Sequence, residues 1–465
     1  MGRRTALLGW ALTFIILVAP AARNASGQTS ALFVGMGDSI GEGVQSADAS
    51  VFTQAFSFPN LIAWKMSARF PIPLIRTNPF ASVSDVQGRS RIDPTVRTLN
   101  LAVSGADAES LLNDAATATD VSQIDSETEL VLFPWLGSQM QVAEQLRPAR
   151  VACWIGNNDA LGAVVAFDHL DASQLTPVPD FTAQFTEIAD RLQAMGSAVV
   201  FGTIPDVTRI AFLIDRADLI RFLGSDFGLP DSSRTSLTAL VLVKLGLSNP
   251  AIFSNPDFVL DAQELQTISA HVDALNSVIR NVAAAHGMAV ADIHAAYDFL
   301  ATNPPVIGGV PLTTRFLGGV FSLDGVHPSN FTLAIVANIF IDQFNAHYGT
   351  NTPHIDGSTM FLLFRTDPFV DKDGDGQVTG RRGAGLVETL SAFLGFSGDP
   401  NDFGGAALSS SALALQTGGN SVTNETAATN FFNEYQRQTG RDLRMMSQRE
   451  QFKRVGALFD PGTRK

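Results

Sequence analysis

A serine stands between two glycines in Gly37-Asp38-Ser39-Ile40-Gly41, directly after a short apolar run. A hydrolytic serine needs a base to take its proton, a group to orient that base, and donors for the oxyanion formed on attack. The flanking glycines let backbone and substrate approach closely, and the first N–H groups of the next element can face an anion. A serine after a strand also serves as a helix N-cap, and Ser39 taken alone fits that role as well. Ser322-Leu323-Asp324-Gly325-Val326-His327-Pro328 offers the base: Asp324 precedes His327 by three residues, with Gly325 between them for a tight bend. That spacing lets the carboxylate take the imidazole Nδ1–H and leaves Nε2 to face a serine. Alone, the same segment also reads as a surface turn with a local Asp–His pair. Among the six other histidines, His294 comes nearest, because Asp292 precedes it by two. Asp292-Ile293-His294 closes a strand, where both side chains share a face, and reads as a structural hydrogen-bonded pair. Asn158, by its side-chain amide, and Gly105, by its N–H, are the oxyanion candidates, although an asparagine after a strand is commonly a turn residue.

Five short apolar runs must position these groups: Ala31–Met36, Thr98–Val103, Val151–Ile155, Ala198–Ile204 and Met288–Ile293. Helical spacing of apolar residues runs over Asp180–Met195, ending before Gly196, and over Glu264–His286, ending before Gly287. Strands alternating with helices predict βαβ units, hence an α/β fold with a parallel sheet covered by helices on both faces. Ligands of such sheets bind beyond the carboxyl ends of the strands. Gly37–Gly41 follows the first run there, Ser104-Gly105-Ala106 the second, and Gly156-Asn157-Asn158-Asp159 the third. Two stretches look like additions: about 207–264, rich in Leu, Phe and Ala, and everything from about Thr352 onward.

With these blocks in hand, the sequence resembles the SGNH/GDSL hydrolase family, the GDSL-like lipases and esterases. Gly37-Asp38-Ser39-Ile40 resembles the GDSL block, with isoleucine for the final leucine. Gly105 matches the glycine block, Gly156-Asn157-Asn158-Asp159 the G-x-N-D block, and Asp324-Gly325-Val326-His327-Pro328 the D-x-x-H-P block. All four stand in the family's order, and the resemblance covers about Ala31 to Tyr348. It implies a three-layer α/β/α sandwich with a flavodoxin-like, five-stranded parallel sheet, in a hydrolase domain over 31–350. It also implies roles: Ser39 attacks the ester carbonyl, His327 is general base and then acid, and Asp324 orients His327. The Ser39 and Gly105 N–H groups and the Asn158 amide hold the oxyanion, while Asp38 and Asp159 brace the loops. The same residues also fit G-x-S-x-G, the nucleophile elbow of α/β-hydrolases. That elbow should follow several strands with an oxyanion loop upstream, whereas Ser39 follows the first strand.

Composition narrows the partners. The chain has 465 residues, 45% of them apolar and 16% charged, which suffices for a large core and argues against global disorder. A formal net charge of −14 repels phosphate backbones, so nucleic acid is not an expected partner. Arg3 and Arg4, an apolar run from Thr5 to Ala19 and the small residues Ala19-Pro20-Ala21 read as an export signal over 1–21. The run falls short of the roughly 20 residues of a membrane span. The expectation is a secreted chain, extracellular or periplasmic, with no transmembrane segment after cleavage. The single cysteine, Cys153, sits in an apolar strand run and reads as core. Asn24, Asn330 and Asn424 begin glycosylation sequons, of which Asn330 lies too close to His327 to carry a glycan.

The catalytic groups need no cofactor. In the C-terminal extension (352–465), Asp371-Lys372-Asp373-Gly374-Asp375-Gly376-Gln377-Val378 resembles the start of a calcium loop, with carboxylates at positions one, three and five and the Gln377 carbonyl at seven. Position twelve of the loop (371–382) is Arg382 where a glutamate is required, so any calcium there takes a closing ligand from elsewhere; the same residues also fit an acidic surface turn. The function expected is a secreted serine ester hydrolase acting on small-molecule or lipid esters, lipase- or esterase-like because of the apolar insertion and 33 phenylalanines against three tyrosines. Its alternatives are a carbohydrate O-deacetylase of the same fold, or a calcium-dependent surface-binding protein with a weak or inactive hydrolase domain.

Overall fold

The computed structural model describes residues 31–76, 86, 88–165, 170–380, 390–391, 394–399, 436 and 442–446. The expected export signal, the sequons at Asn24 and Asn424, and Arg382 lie outside them. Four parallel strands pair in the order β1 (Phe33–Gly37), β2 (Arg150–Trp154), β3 (Ala198–Gly202) and β4 (Ala289–Ala291). Each falls within a residue or two of an apolar run, because a strand covered on both faces must be apolar at successive positions rather than at alternate ones.

Successive side chains point to opposite faces, and two separate cores result. Phe33, Ala152, Trp154 and Val200 pack with helices α2 (Phe58–Lys65) and α12 (Asn330–Tyr348). Val34, Met36, Cys153, Val199 and Phe201 pack with α3 (Ala108–Asn113), α5 (Gln139–Leu146), α7 (Val178–Ala194) and α10 (Ala262–Ala285). Cys153 is buried there, and burial pushes its thiol pKa upward, so it is inert core. Helix ends are fixed locally. Asp261 and Glu264 form a capping box at the start of α10, and Ser329 caps α12, which ends at Gly349 in the left-handed region.

The second apolar run departs from expectation. Thr98–Val103 lies along the free edge of β1 as an extended segment with one bridge, Gly35 to Asn100, and forms no regular ladder. Gly35 N–H donates to the Leu99 carbonyl at 3.1 Å, Leu101 N–H to the Gly35 carbonyl at 2.8 Å, and Val103 N–H to the Gly37 carbonyl at 3.1 Å. Polar side chains interrupt the outer edge: Thr98 Oγ1 accepts the Asn100 N–H at 3.1 Å, and Asn100 Nδ2 donates to the Gly41 carbonyl at 2.8 Å. The segment still delivers Ser104 and Gly105 to the edge of the sheet where β1 and β2 end.

Residues 207–264 hold α8 (Arg216–Leu223), α9 (Leu237–Lys244) and a three-stranded antiparallel sheet of Leu213–Ile214, Arg234–Ser236 and Val259–Leu260. Most of their apolar residues, including Leu219, Leu240, Phe253 and Phe258, are buried against the rest of the chain, while Ile220 stays exposed. Phe212 N–H donates to the Gly325 carbonyl at 2.8 Å, so this segment buttresses the turn that carries Asp324 and His327. No helix among the described residues is long and apolar enough to cross a membrane.

Gly325 has φ +72°, and a Cβ there would meet the Phe212 backbone nitrogen at 2.6 Å. Gly325→Ala is therefore expected to lower stability by roughly 1–3 kcal/mol and to weaken whatever chemistry His327 performs. Thermal unfolding followed by circular dichroism checks this; an unchanged melting temperature would show that the turn relaxes freely.

Candidate active site

The Ser39 turn is built from backbone geometry. Gly37 has φ +143°, and a Cβ there would overlap the Trp154 carbonyl oxygen, so only glycine ends β1 in this way. Gln139 clamps both backbone groups of Gly37: its Nε2 donates to the Gly37 carbonyl at 2.8 Å, and its Oε1 accepts the Gly37 N–H at 3.0 Å. Asp38, not Ser39, caps helix α1 (Ser39–Glu42), accepting the Ile40 N–H at 3.0 Å. The capping role is thus already filled. Ser39 is the first helical residue, 3% exposed, and its hydroxyl makes no hydrogen bond among the described residues.

Asp324 and His327 are both fully buried, and Nδ1 of the histidine lies 2.6 Å from Asp324 Oδ2. The surface-turn reading of this segment is therefore excluded. The other oxygen, Oδ1, accepts the backbone N–H groups of Val326 and His327, each at 2.9 Å. Burial alone would raise the Asp324 pKa. The His327 charge and these hydrogen bonds outweigh it and hold the carboxyl below its usual range. His327 Nε2 is buried with no hydrogen-bond partner, so the Ser39–His327 hydrogen bond is not closed here. In ligand-free enzymes such bonds commonly tighten only around substrate.

What joins the two segments is the loop after α1. Ser46 and Ala47 both adopt left-handed backbone, φ 52° and 55°. Two such residues in succession turn consecutive N–H groups to one side: Ser46 N–H donates to Ser322 Oγ at 2.8 Å, and Ala47 N–H to Asp324 Oδ2 at 2.6 Å. Gln45 Nε2 adds bonds to the Pro328 carbonyl and to Asn330 Oδ1. Asn330 is buried at the start of α12, with no room for a glycan.

Gly105 has φ +81°, and its N–H donates to no group among the described residues. Asn158, near the start of α6 (Asn157–Val165), donates one amide hydrogen to the Ala106 carbonyl at 2.8 Å. Its second amide hydrogen has no acceptor among the described residues. The two flanking aspartates brace loops: Asp38 accepts from Asn157 Nδ2 at 2.8 Å, and Asp159 Oδ2 accepts the Ala108 N–H at 3.1 Å. His294 is structural, but its partner is not Asp292. Asp292 caps helix α11 (Ile293–Thr302), so the chain turns between the two residues, and His294 Nδ1 lies 2.9 Å from the Ile204 carbonyl. Sequence reasoning missed Gln139, Ser46, Ala47 and Ser322, whose partners lie far along the chain and whose types carry no local signal.

Away from this cluster, Asp371, Asp373 and Asp375 offer carboxylate oxygens within 4.8 Å of one another. Asp375 has its pKa raised, first by partial burial and then by the charges of Asp373, Asp399 and Asp371. A cation would relieve that repulsion, and the oxygen-only donor set suits calcium.

No family model matches the chain, and no curated protein matches it. Among solved structures it is similar to an α/β hydrolase from the metagenome of Lake Arreo, at 14% identity and a TM-score of 0.34, covering 67% of this chain and 94% of that one. An acetylxylan esterase from Geobacillus stearothermophilus is similar at 12% identity and 0.33, covering 67% and 93%. An extracellular lipase from Streptomyces rimosus is similar at 17% identity and 0.32, covering 68% and 97%. Likenesses this weak leave the functional reading to the site itself.

Burial raises the Asp38 pKa from 3.8 to about 6, against the lowering by Asn157, the Ile40 N–H and His327. The folded state therefore holds this proton more tightly than the unfolded chain does. The stability it contributes is complete below pH 3.8 and is lost as pH rises through about 6. Asp38→Asn is expected to flatten the decline in melting temperature across that window, worth up to about 3 kcal/mol; the same slope in both proteins would contradict the assignment.

Proposed function

We propose that the chain is a serine hydrolase of carboxylic esters, of the SGNH/GDSL type. One observation carries the reading: a fully buried Asp324–His327 pair at 2.6 Å presents an unpartnered Nε2 from a segment stitched to the Ser39 turn. In this reading Ser39 Oγ attacks the ester carbonyl carbon while His327 Nε2 takes its proton. The oxyanion is held by the N–H groups of Ser39 and Gly105 and by Asn158 Nδ2. Collapse expels the alcohol, which receives its proton from His327, and leaves an acyl-serine. Water, deprotonated by His327, then attacks the acyl carbon; the bond to Ser39 Oγ breaks, Oγ takes its proton back from His327, and the acid is released. Asp324 keeps the imidazole in the tautomer this requires and stabilises its positive form. No metal or cofactor takes part in these steps.

The sheet order supports the same reading. With Thr98–Val103 counted at the edge, the chain order is 2-1-3-4-5, as in flavodoxin-like sheets, and all three post-strand turns gather at one edge. The chain acts outside the cytoplasm, after loss of residues 1–21. Lipase- or esterase-like activity on small or lipid esters is the substrate class proposed. Most apolar residues of 207–264 are spent on packing, so acyl chain length is a matter for measurement. Turnover of p-nitrophenyl esters of graded length separates the readings: activity on acetate alone favours a carbohydrate O-deacetylase, and none at any length favours a surface-binding protein.

Ser39→Ala and His327→Ala are each expected to abolish turnover with the fold retained, because triad members act as a unit. Asn158→Ala should retain activity reduced by about 10²–10³. Full activity in Asn158→Ala would remove it from the oxyanion site.

We propose also that Asp371, Asp373, Asp375 and the Gln377 carbonyl hold a structural calcium ion. Calcium should then raise stability by about 2.7 kcal/mol at a hundredfold excess over Kd, seen as a higher melting temperature, while turnover at moderate temperature stays the same. Calorimetric titration of wild type and Asp373→Ala is the check; no binding at millimolar calcium would leave an acidic turn.

A further inference from the structure

Beside the oxyanion loop lies a second buried ionic group that the triad does not use. Glu42, three residues after Ser39 and fully buried, accepts the Ser104 N–H at 2.8 Å and the Ser104 hydroxyl at 2.5 Å, both on Oε2. Its Oε1 is buried without a hydrogen-bond partner. Glu127, at the start of α4 (Glu127–Leu132), takes Arg89 Nη1 on Oε2 at 2.5 Å, and its Oε1 is likewise buried and unpartnered. The Arg89 and Glu127 side chains are 0% and 3% exposed. The two glutamate carboxyls stand within hydrogen-bonding reach of each other.

Two carboxylates at that range with no donor between them repel, and burial multiplies the cost. One proton between them removes both penalties: it satisfies the orphaned oxygens and leaves one net negative charge against Arg89. A neighbouring cavity of about 10 Å³, bounded by Ser104, Gly105, Glu127 and Gln139, has room for a single water. Both glutamates are buried, so bulk solvent does not stabilise a second charge. Among the described residues, the other charged groups around the pair include Asp48, which faces Arg89, and Asp114, which lines the same cavity.

We propose that Glu42 and Glu127 share one proton as a buried acid–carboxylate pair, and that this pair, anchored by Arg89, is the positioning element for the oxyanion donor Gly105. The proposal rests on the ester-hydrolase reading. Ser104 immediately precedes Gly105, and its N–H and hydroxyl both end on Glu42. The peptide plane that aims the Gly105 N–H is thus set by where the Glu42 carboxyl sits. Burial, and then the charge of Glu127, push the Glu42 pKa well above the usual carboxylate range, with Arg89 opposing. In this proposal the two orphaned oxygens hold the proton at neutral pH; its loss as pH rises leaves two buried anions that separate, and Ser104 moves with them.

The test uses the full-length protein, p-nitrophenyl ester turnover across pH, and infrared spectra. Glu42→Ala should lower kcat by about 10²-fold, the worth of one oxyanion donor, with KM changed less than about threefold. Glu42→Gln keeps an oxygen for Ser104 and supplies an N–H in place of the shared proton. It should recover at least tenfold of the kcat lost in Glu42→Ala and should displace the alkaline limb of the kcat profile. Wild type at neutral pH should show the carbonyl stretch of one buried carboxylic acid that Glu42→Gln lacks. Wild-type kcat in a folded Glu42→Ala, an alkaline limb that Glu42→Gln leaves in place, or no acid band in wild type each overturns the proposal. If Glu42→Ala does not fold, Glu42→Gln and the infrared band decide. Turnover persisting in Ser39→Ala would instead remove the ester-hydrolase reading, and the infrared band would still test the shared proton.

Discussion

The carboxylate of Asp324 accepts five hydrogen bonds: from the N–H groups of Val326, His327 and Ala47, from the Ser322 hydroxyl, and from the His327 ring. Three close the local turn, one fixes the imidazole, and one reaches across 277 residues of sequence to the loop after Ser39. A fully buried carboxylate is tolerated only when its oxygens are satisfied in this way. The same satisfaction makes the serine turn and the histidine turn a single piece. Removing the carboxylate would leave the Ala47 N–H and the imidazole without their acceptor and would release the two segments from each other.

The rest of the fold serves that junction. β1 ends at Gly37 and hands the chain to α1, while α12 begins just after His327 and packs on α2 and on the same face of the sheet. The two ends of the domain therefore meet at one edge. Left-handed backbone at Ser46 and Ala47 costs on the order of 1–3 kcal/mol per residue, offset by the bonds those N–H groups make to Ser322 and Asp324. Gln139 at Gly37, Asp38 at α1 and Asp159 at Ala108 hold the remaining turns. The turns are thus fixed by the fold itself, the condition under which preorganised hydrogen-bond donors are most effective.

Much of this was legible in the sequence, for a local reason. Strands buried on both faces must be apolar throughout, so the runs at 31–36, 151–155, 198–204 and 288–293 could be read directly. Asp324 and His327 lie within one turn, so their spacing alone carried the pairing. Thr98–Val103 misled because its apolar content resembles a strand while Thr98 and Asn100 take hydrogen bonds from the ladder. His294 misled because the strand ends at Ala291 and Asp292 starts a helix. Glu42, Arg89 and Glu127 were invisible, since a glutamate in a helical turn and an arginine in a loop carry no sign of a partner 38 or more residues away. The packing of Phe212 on Gly325 was hidden for the same reason: a glycine in a turn does not announce what presses against it.

In the proposed mechanism Ser39 is activated by His327 held on Asp324. A fluorophosphonate probe tests this without any assumption about the natural ester, because it phosphonylates only a serine whose proton is being removed. Peptide mass mapping after brief exposure should find one adduct, on Ser39, in wild type and none in His327→Ala. An adduct absent from Ser39 in the folded wild type, or formed equally fast in His327→Ala, would contradict the account.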